Sequence, residues 1–509
     1  MPASKFVSAA DAAALIRDGD TVGLIGGGGG LMEASTLFAA VERRFLETGH
    51  PNKLFVIHAL GIGDRKSRGM NCFAHEGMVR RVIGGHWVWS PRMQALARDE
   101  KIEAYVLPGG VVMQLWREIA AGRPGLFTHV GLGTFVDPRL GGGKMNKAAR
   151  EDLVEVATID GKEMLRYKPF PVHIALIRGS SADAQGNVCL DQEAANLDIY
   201  AVALAAHNSG GKVIAQVKSA VEVGKLPARA VRVPGAIVDA VVVEPNQSMT
   251  YDIAYDPSMS GEKRSPVPRE APQPFTVREA IARRAAEELR DGAVINYGFG
   301  IPDAVARLVA ERGDVDRYYQ TIEHGTYGGS LLTGTLFGFA RNPSAMIDAP
   351  SQFDFYSGGG LDIAFLGFGE LDASGHVNVS RLGGLTVGPG GFIDIAQNAR
   401  KVVFCGTFDT KGTEIATGDG SLRIRRQGEV RKLVRAVEQI TFSGTVAMSR
   451  GQEVIYVTER AVFRLTPDGL VLAEVAPGVD IRRDVLERMD FTPRVPRDPV
   501  VMSAAHFTA

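Results

Sequence analysis

Residues 175–188 read ALIRGSSADAQGNV, and residues 364–377 read AFLGFGELDASGHV. The two stretches align without a gap, pairing Asp183 with Asp372, Ala184 with Ala373 and Gly186 with Gly375. Each is an apolar run followed by a glycine-punctuated turn, which predicts a buried strand ending in a tight loop. Repetition at this distance points to duplication of a whole supersecondary unit.

A second echo precedes each copy. Ser8 is placed to cap a helix, Asp18-Gly19 ends it, residues 21–25 read as a strand, and Gly26 to Gly30 form a loop before a helix from about Glu33. In the second half, Thr276 and Glu279 have capping-box spacing, in which a hydroxyl and a carboxylate satisfy helix-end amides reciprocally. Val277, Ile281, Ala285 and Leu289 then share one helical face. Asp291-Gly292 stops that helix, residues 293–297 read as a strand, residues 298–302 as a loop, and a helix follows from Asp303. Further strands are predicted at 212–217, 237–243, 363–366, 402–404 and 453–457, alternating with helices such as 302–312. The predicted class is α/β, with two related open α/β domains in tandem. Ligands of such sheets bind beyond the carboxyl ends of strands, so the active site is expected between the halves.

Prolines 245, 257, 266, 268, 272 and 274 mark residues 245–275 as a linker, because proline removes amide donors and fixes φ. The expected division is 1–244, a linker at 245–275, and 276–509. A chain of 509 residues is long enough to require at least two cores.

Composition narrows the function. With 45% hydrophobic and 23% charged residues and a formal net charge of −1, the chain has the balance of a soluble globular protein. No Lys/Arg run suggests nucleic acid or an anionic membrane as partner. The 60 glycines show no Gly-X-Y period and cluster where apolar runs end. Cys72, Cys189 and Cys405 lack metal-like spacing and suggest no disulfide framework, which fits a reducing cytoplasm. Neither a signal-type apolar core near the N-terminus nor an apolar run of membrane-spanning length is present.

Nucleotide and hydrolase motifs fail on inspection. Gly298-Phe299-Gly300 opens like a dinucleotide fingerprint, but Asp303 stands where the third glycine belongs. Leu31 and Met32 spoil the run at Gly26 to Gly30, and Met145 follows Gly143-Lys144 where a phosphate loop needs a hydroxyl. No Gly-x-Ser-x-Gly elbow or His-Glu-x-x-His helix occurs, and the ten histidines are scattered, so no metal is assigned.

The most informative segment is Thr321-Ile322-Glu323-His324-Gly325-Thr326-Tyr327-Gly328-Gly329. A carboxylate ends a β-rich stretch, and the following glycines let a large ligand approach the backbone. Taken alone, a glutamate before a turn is usually a solvated surface group.

Its surroundings alter that. Glu323-His324-Gly325 with Gly328-Gly329, the loop Gly298 to Pro302, and Gly390-Gly391-Phe392-Ile393-Asp394-Ile395 occur in order. So do Gln352 to Tyr356, Gly375 to Ser380, Gly84 to Trp87, Gly131 to Pro138, and Ala206 to Gly211. Together these resemble the glutamate-dependent (family I) CoA-transferases, particularly the single-chain enzymes for short-chain acids such as acetate, propionate or acetoacetate. The resemblance spans nearly the whole chain.

It implies that Glu323 is the nucleophile, forming a glutamyl-CoA thioester in a ping-pong reaction without ATP. It offers Gly390 and Gly391 as oxyanion donors, and Gly298, Phe299, Gly300, Ile301, Pro302, Asn378 and Lys411 as residues that hold CoA. An ammonium at Lys411 would pair with a CoA phosphate, although a lone exposed lysine is commonly just solvated. Coenzyme A is a substrate here; no permanently bound cofactor is expected. A homodimer or homotetramer is expected by analogy. One departure stands out. Relatives carry Pro-Gln-Gly before the helix predicted at 114–121, and this chain has Pro108-Gly109-Gly110. Gln114, one turn on, is the candidate replacement in the acyl site. An acyl-CoA hydrolase of the same fold and a non-catalytic binder of CoA or a sugar phosphate are the alternatives.

Overall fold

Short runs of branched and aromatic side chains, bounded by glycine, become fully buried parallel strands, as such runs do when helices cover both faces of a sheet. The structure is a computed structural model describing residues 4–266 and 275–509. It separates into two compact units: residues 1–265, 322–354 and 384–394 form the first, and 266–321, 355–383 and 395–509 the second.

The first unit contains β1 (Thr21–Leu24), β2 (Leu54–His58), β3 (Val79–Gly84), β4 (Glu103–Tyr105), β5 (Ile174–Asp183), β6 (Lys212–Val221) and β7 (Ala240–Val243). Their order is β4-β3-β2-β1-β5-β6-β7, with every pairing parallel. Helix α1 (Ala9–Ala14) starts at Ser8, whose hydroxyl accepts the Asp11 amide, as the sequence predicts. Helix α2 (Ser35–Thr48) follows the glycine loop, and α3 (Gly109–Ala120) follows β4.

The second unit repeats the plan. Strands β8 (Val294–Tyr297), β9 (Tyr319–Ile322), β10 (Ile363–Gly367), β11 (Lys401–Cys405) and β12 (Glu453–Val457) run in the order β9-β8-β10-β11-β12, again parallel. This matches β2-β1-β5-β6-β7 strand for strand. Helix α4 (Val277–Ala285) precedes β8, and α5 (Ile301–Glu311) follows it.

The turns after β5 and β10 match at the level of single bonds. Asp183 Oδ1 accepts the amides of Gln185 at 3.0 Å and Asn187 at 3.1 Å. Asp372 Oδ1 accepts those of Ser374 at 3.0 Å and His376 at 3.1 Å. Gly186 and Gly375 both take positive φ, 86° and 74°. The duplication read from sequence is thus visible in topology and in turn chemistry.

Three expectations are corrected. The compact units do not follow the two chain halves, because segments carrying Glu323 and Gly391 fold with the first. Nor is 245–265 a loose linker. Met249 and Met259 are buried there, the Tyr251 amide donates to Gly29 O, and Ser258 O accepts the Asn342 amide. Apolar anchors and paired backbone outweigh the proline signal. Pro268, Pro272 and Pro274 lie outside the described residues. Finally, Thr276 does cap α4 by position, but its side chain makes no capping bond. Glu279 is drawn instead into ion pairs with Arg307 and Arg283.

Among the described residues, no helix is long and apolar enough to cross a membrane.

Candidate active site

Helix α3 begins at Gly109, five residues before the predicted start. Its first residues have no side chains for a physical reason. A Cβ at Gly110 would lie 2.6 Å from Asp394 Oδ1 and would collide with the Phe353 ring. Backbone groups do the work there. The Gly109 amide donates to Gly390 O at 2.7 Å, and the Gly110 amide to Asp394 Oδ2 at 3.2 Å. The Gly84 to Trp87 motif grips the same turn from the other side. Gly390 N donates to Gly85 O at 2.8 Å, and Trp87 N to Val387 O at 2.7 Å.

This clasp presents Gly391 to Glu323. The Gly391 amide donates to the Glu323 carboxylate, and a Cβ at Gly391 would collide with Glu323 Oε2. Phe353 lies beneath, 2.9 Å from that Cβ position at its Cζ. Residues from both halves of the chain therefore meet within the first unit. The Glu323 side chain keeps 20% of its surface open. Burial pushes its pKa up to about 7, against the pull of the Gly391 amide.

No ion pair offsets this. His324 Nε2 is 3.9 Å from Glu323 Oε1, but burial lowers the imidazole to about 4, leaving it neutral. Its Nδ1 is 3.0 Å from Gly338 O, which fixes the proton on that nitrogen and turns a lone pair toward Glu323.

The other candidates fall into two groups. Gly390 and Gly391 adjoin Glu323, but only Gly391 directs its amide there, since that of Gly390 is held by Gly85. Gln114 is buried in α3, and its amide nitrogen donates to Asp354 Oδ1 at 2.8 Å. That bond takes one of the two N–H donors of the amide and holds the side chain toward Asp354.

Gly298, Phe299, Gly300, Ile301, Pro302, Asn378 and Lys411 belong to the second unit. Gly298 N donates to Phe365 O at 2.7 Å, which seats the loop beside the end of β10. Gly300 turns the chain with φ 96°, Ile301 and Pro302 start α5, and Phe299 is 51% exposed. Asn378 is a turn-former with no side-chain group left to offer. Its Nδ2 donates to Glu370 and to Arg381 O, and its Oδ1 accepts the Ser380 and Arg381 amides. Full burial reinforces this correction. Lys411 lines a cavity of about 630 Å³ together with Thr276, Thr407, Thr413 and Arg425.

Sequence reasoning gave Asp394, Phe353 and Arg425 no role. For Asp394 a signal existed: a lone acid in the apolar run Phe392-Ile393-Asp394-Ile395. Among the described residues, no group of three or more His, Cys, Asp or Glu side chains is placed to hold a metal.

A partly open glutamate, its pKa raised by burial and a backbone amide facing it, on a duplicated parallel α/β framework, is the arrangement of a covalent acyl-exchange site. The Coenzyme A transferase family profile matches residues 6–244. The chain is 43% identical to acetate CoA-transferase YdiF of Escherichia coli K12, over 96% of this chain and 92% of that one. It is 44% identical to caffeate CoA-transferase of Acetobacterium woodii, over 99% and 98%. The crystal structure of acyl-CoA transferase YdiF from E. coli O157:H7, a thioester complex with CoA, superposes with a TM-score of 0.94. It shares 41% identity and covers 99% of this chain and 96% of that one. The chain belongs to the family I CoA-transferases, in single-chain form. It is an acyl-CoA:carboxylate CoA-transferase.

Proposed function

We propose that Glu323 is the residue that carries CoA, and that the acids exchanged are short-chain. The observation that carries the first part is the Glu323 carboxylate itself, mostly buried, partly open and faced by the Gly391 amide.

A Glu323 oxygen attacks the thioester carbonyl of an acyl-CoA, the C–S bond breaks, and CoA leaves as a thiolate. The product is a mixed anhydride on Glu323. The thiolate then attacks the glutamyl carbonyl, the anhydride C–O bond breaks, and the first acid leaves as its carboxylate. A second carboxylate reverses both steps and departs as its CoA ester. Each bond broken is matched by one formed, so no ATP is consumed. The Gly391 amide already points at a Glu323 oxygen, the atom that becomes the oxyanion when thiolate adds to the glutamyl carbonyl. Burial keeps water from the thioester, which separates transfer from hydrolysis.

Lys411 and Arg425 would hold CoA phosphates in the cavity of the second unit; neither has a carboxylate within ion-pair distance among the described residues. The Gly298 to Pro302 loop, with Phe299 exposed, would contact the same ligand. Short-chain acids follow from the sequence resemblance and from the acetate enzyme among the relatives, while the caffeate enzyme is equally similar. A homo-oligomer in the cytoplasm completes the proposal, consistent with three free buried cysteines.

The test is mass spectrometry after incubation with acetyl-CoA. A CoA adduct on the peptide containing Glu323, absent in Glu323→Ala, is expected; an unmodified peptide refutes the assignment. Rates with acetate, propionate and a hydroxycinnamate as acceptors then decide the acid class.

A further inference from the structure

Asp394 is a second carboxyl group built into the same site. It is fully buried. It accepts the amides of Gly110 and Val111, the first turn of α3. It stands three residues after Gly391, whose amide faces Glu323. Phe353 borders both acids along one edge of its ring. Its Cδ1 would meet a side chain at Gly110, beside Asp394, and its Cζ one at Gly391, beside Glu323.

The titratable groups that act on Asp394 are Glu323, from the segment after β9, and Tyr167. Tyr167 is neutral, with its hydroxyl donating to Val130 O at 2.8 Å. Two anions along one edge of a buried phenyl ring would repel strongly. One of the pair must stay protonated, and Glu323 is the one with an open face.

We propose that Asp394 is a positioning residue: as a neutral carboxyl group it locks the Gly390–Gly391 turn to the first turn of α3, and its ionisation turns the transfer off. Burial, with the Glu323 charge added, pushes Asp394 up to about 8, against the pull of the Gly110 and Val111 amides. Glu323, with its open face, is the acid that ionises first, so the active state has Glu323 anionic and Asp394 neutral. At higher pH an Asp394 carboxylate adds negative charge where the Gly391 amide must stabilise an oxyanion.

This rests on Glu323 being the CoA carrier, so the experiment reads both. Transfer from acetyl-CoA is measured from pH 6 to 9.5 for the wild type, Asp394→Asn and Asp394→Ala, with the Glu323–CoA adduct followed by mass. Asparagine keeps the acceptor for Gly110 and Val111 and cannot ionise. Its kcat at pH 7 is expected within about 3-fold of wild type, and the alkaline fall, about 10-fold per pH unit in the wild type, is expected to vanish. Asp394→Ala loses the lock and is expected to fall at least about 30-fold at all pH values. An Asp394→Asn enzyme that keeps the wild-type alkaline limb overturns the proposal. Absence of adduct in the wild type would instead overturn the role of Glu323.

Discussion

Gly391 and Glu323 are matched so closely that no side chain fits between them: the Gly391 amide reaches the carboxylate, and a Cβ there would strike Glu323 Oε2. Gly391→Ala therefore either displaces the glutamate or withdraws the amide. Losing one oxyanion donor costs about 100- to 1000-fold in kcat. Steady-state transfer should fall by that factor while the KM for acyl-CoA changes little. A variant with wild-type kcat would show that this amide is not part of the chemistry.

Glu323 also sets the acid limb of activity. Its carboxylate attacks only when ionised, so transfer should rise with pH up to about 7, the value to which burial raises it, before the alkaline fall assigned to Asp394. The same shift opposes folding. Free glutamate ionises near 4.5, so between 4.5 and about 7 the folded state binds more protons than the unfolded state. Stability falls as pH rises through that window. Glu323→Gln removes this penalty and should stabilise the protein at pH 8 by about 1–3 kcal/mol, with no gain at pH 4. Urea titrations at both pH values check the sign.

The duplication and its strand alternation were open to sequence reasoning, because Asp183 and Asp372 hold the same turn with the same backbone partners. The nucleophile stood out only through the ordered motifs around it. What sequence could not supply was long-range pairing. Nothing local to Gly109 says that its amide meets Gly390, nor does anything near Gln114 reveal that Asp354 occupies its side chain. The same holds for 245–265, where prolines suggested a linker and buried Met249 and Met259 make it a packed strap. Composition reports local backbone preference, whereas these outcomes were decided by contacts many residues apart.

The repeat also places the chemistry in one copy. Thr21 pairs with Phe55 between β1 and β2, as Val294 pairs with Tyr319 between β8 and β9. Counting on, Ala59 stands where Glu323 stands. The first copy thus has a methyl group in place of the carboxylate, and its backbone carbonyl lies 3.0 Å from where a Cβ on Gly109 would fall. It walls the site in place of reacting.

Lys411 and Arg425 should act on binding alone. Replacing either with alanine is expected to raise the KM for acyl-CoA about 10-fold, with kcat unchanged, since each charge–phosphate contact contributes about 1–2 kcal/mol. The effect should shrink at high salt. With an acyl-pantetheine substrate, which lacks the nucleotide phosphates, the variants should match wild type. A fall in kcat would place these side chains nearer the reacting atoms than their cavity suggests.

Gln114 separates structural from catalytic roles. Its buried amide donates to Asp354, which also pairs with Arg117 at 2.6 Å. Truncation to alanine removes that bond and leaves a gap in α3, so stability should fall by about 1–3 kcal/mol. The transfer rate of the folded enzyme should stay within about 3-fold of wild type for acetyl-CoA, because Asp354 holds the side chain. A large loss of kcat without loss of stability would return Gln114 to the acyl site and require Asp354 to release it when substrate binds.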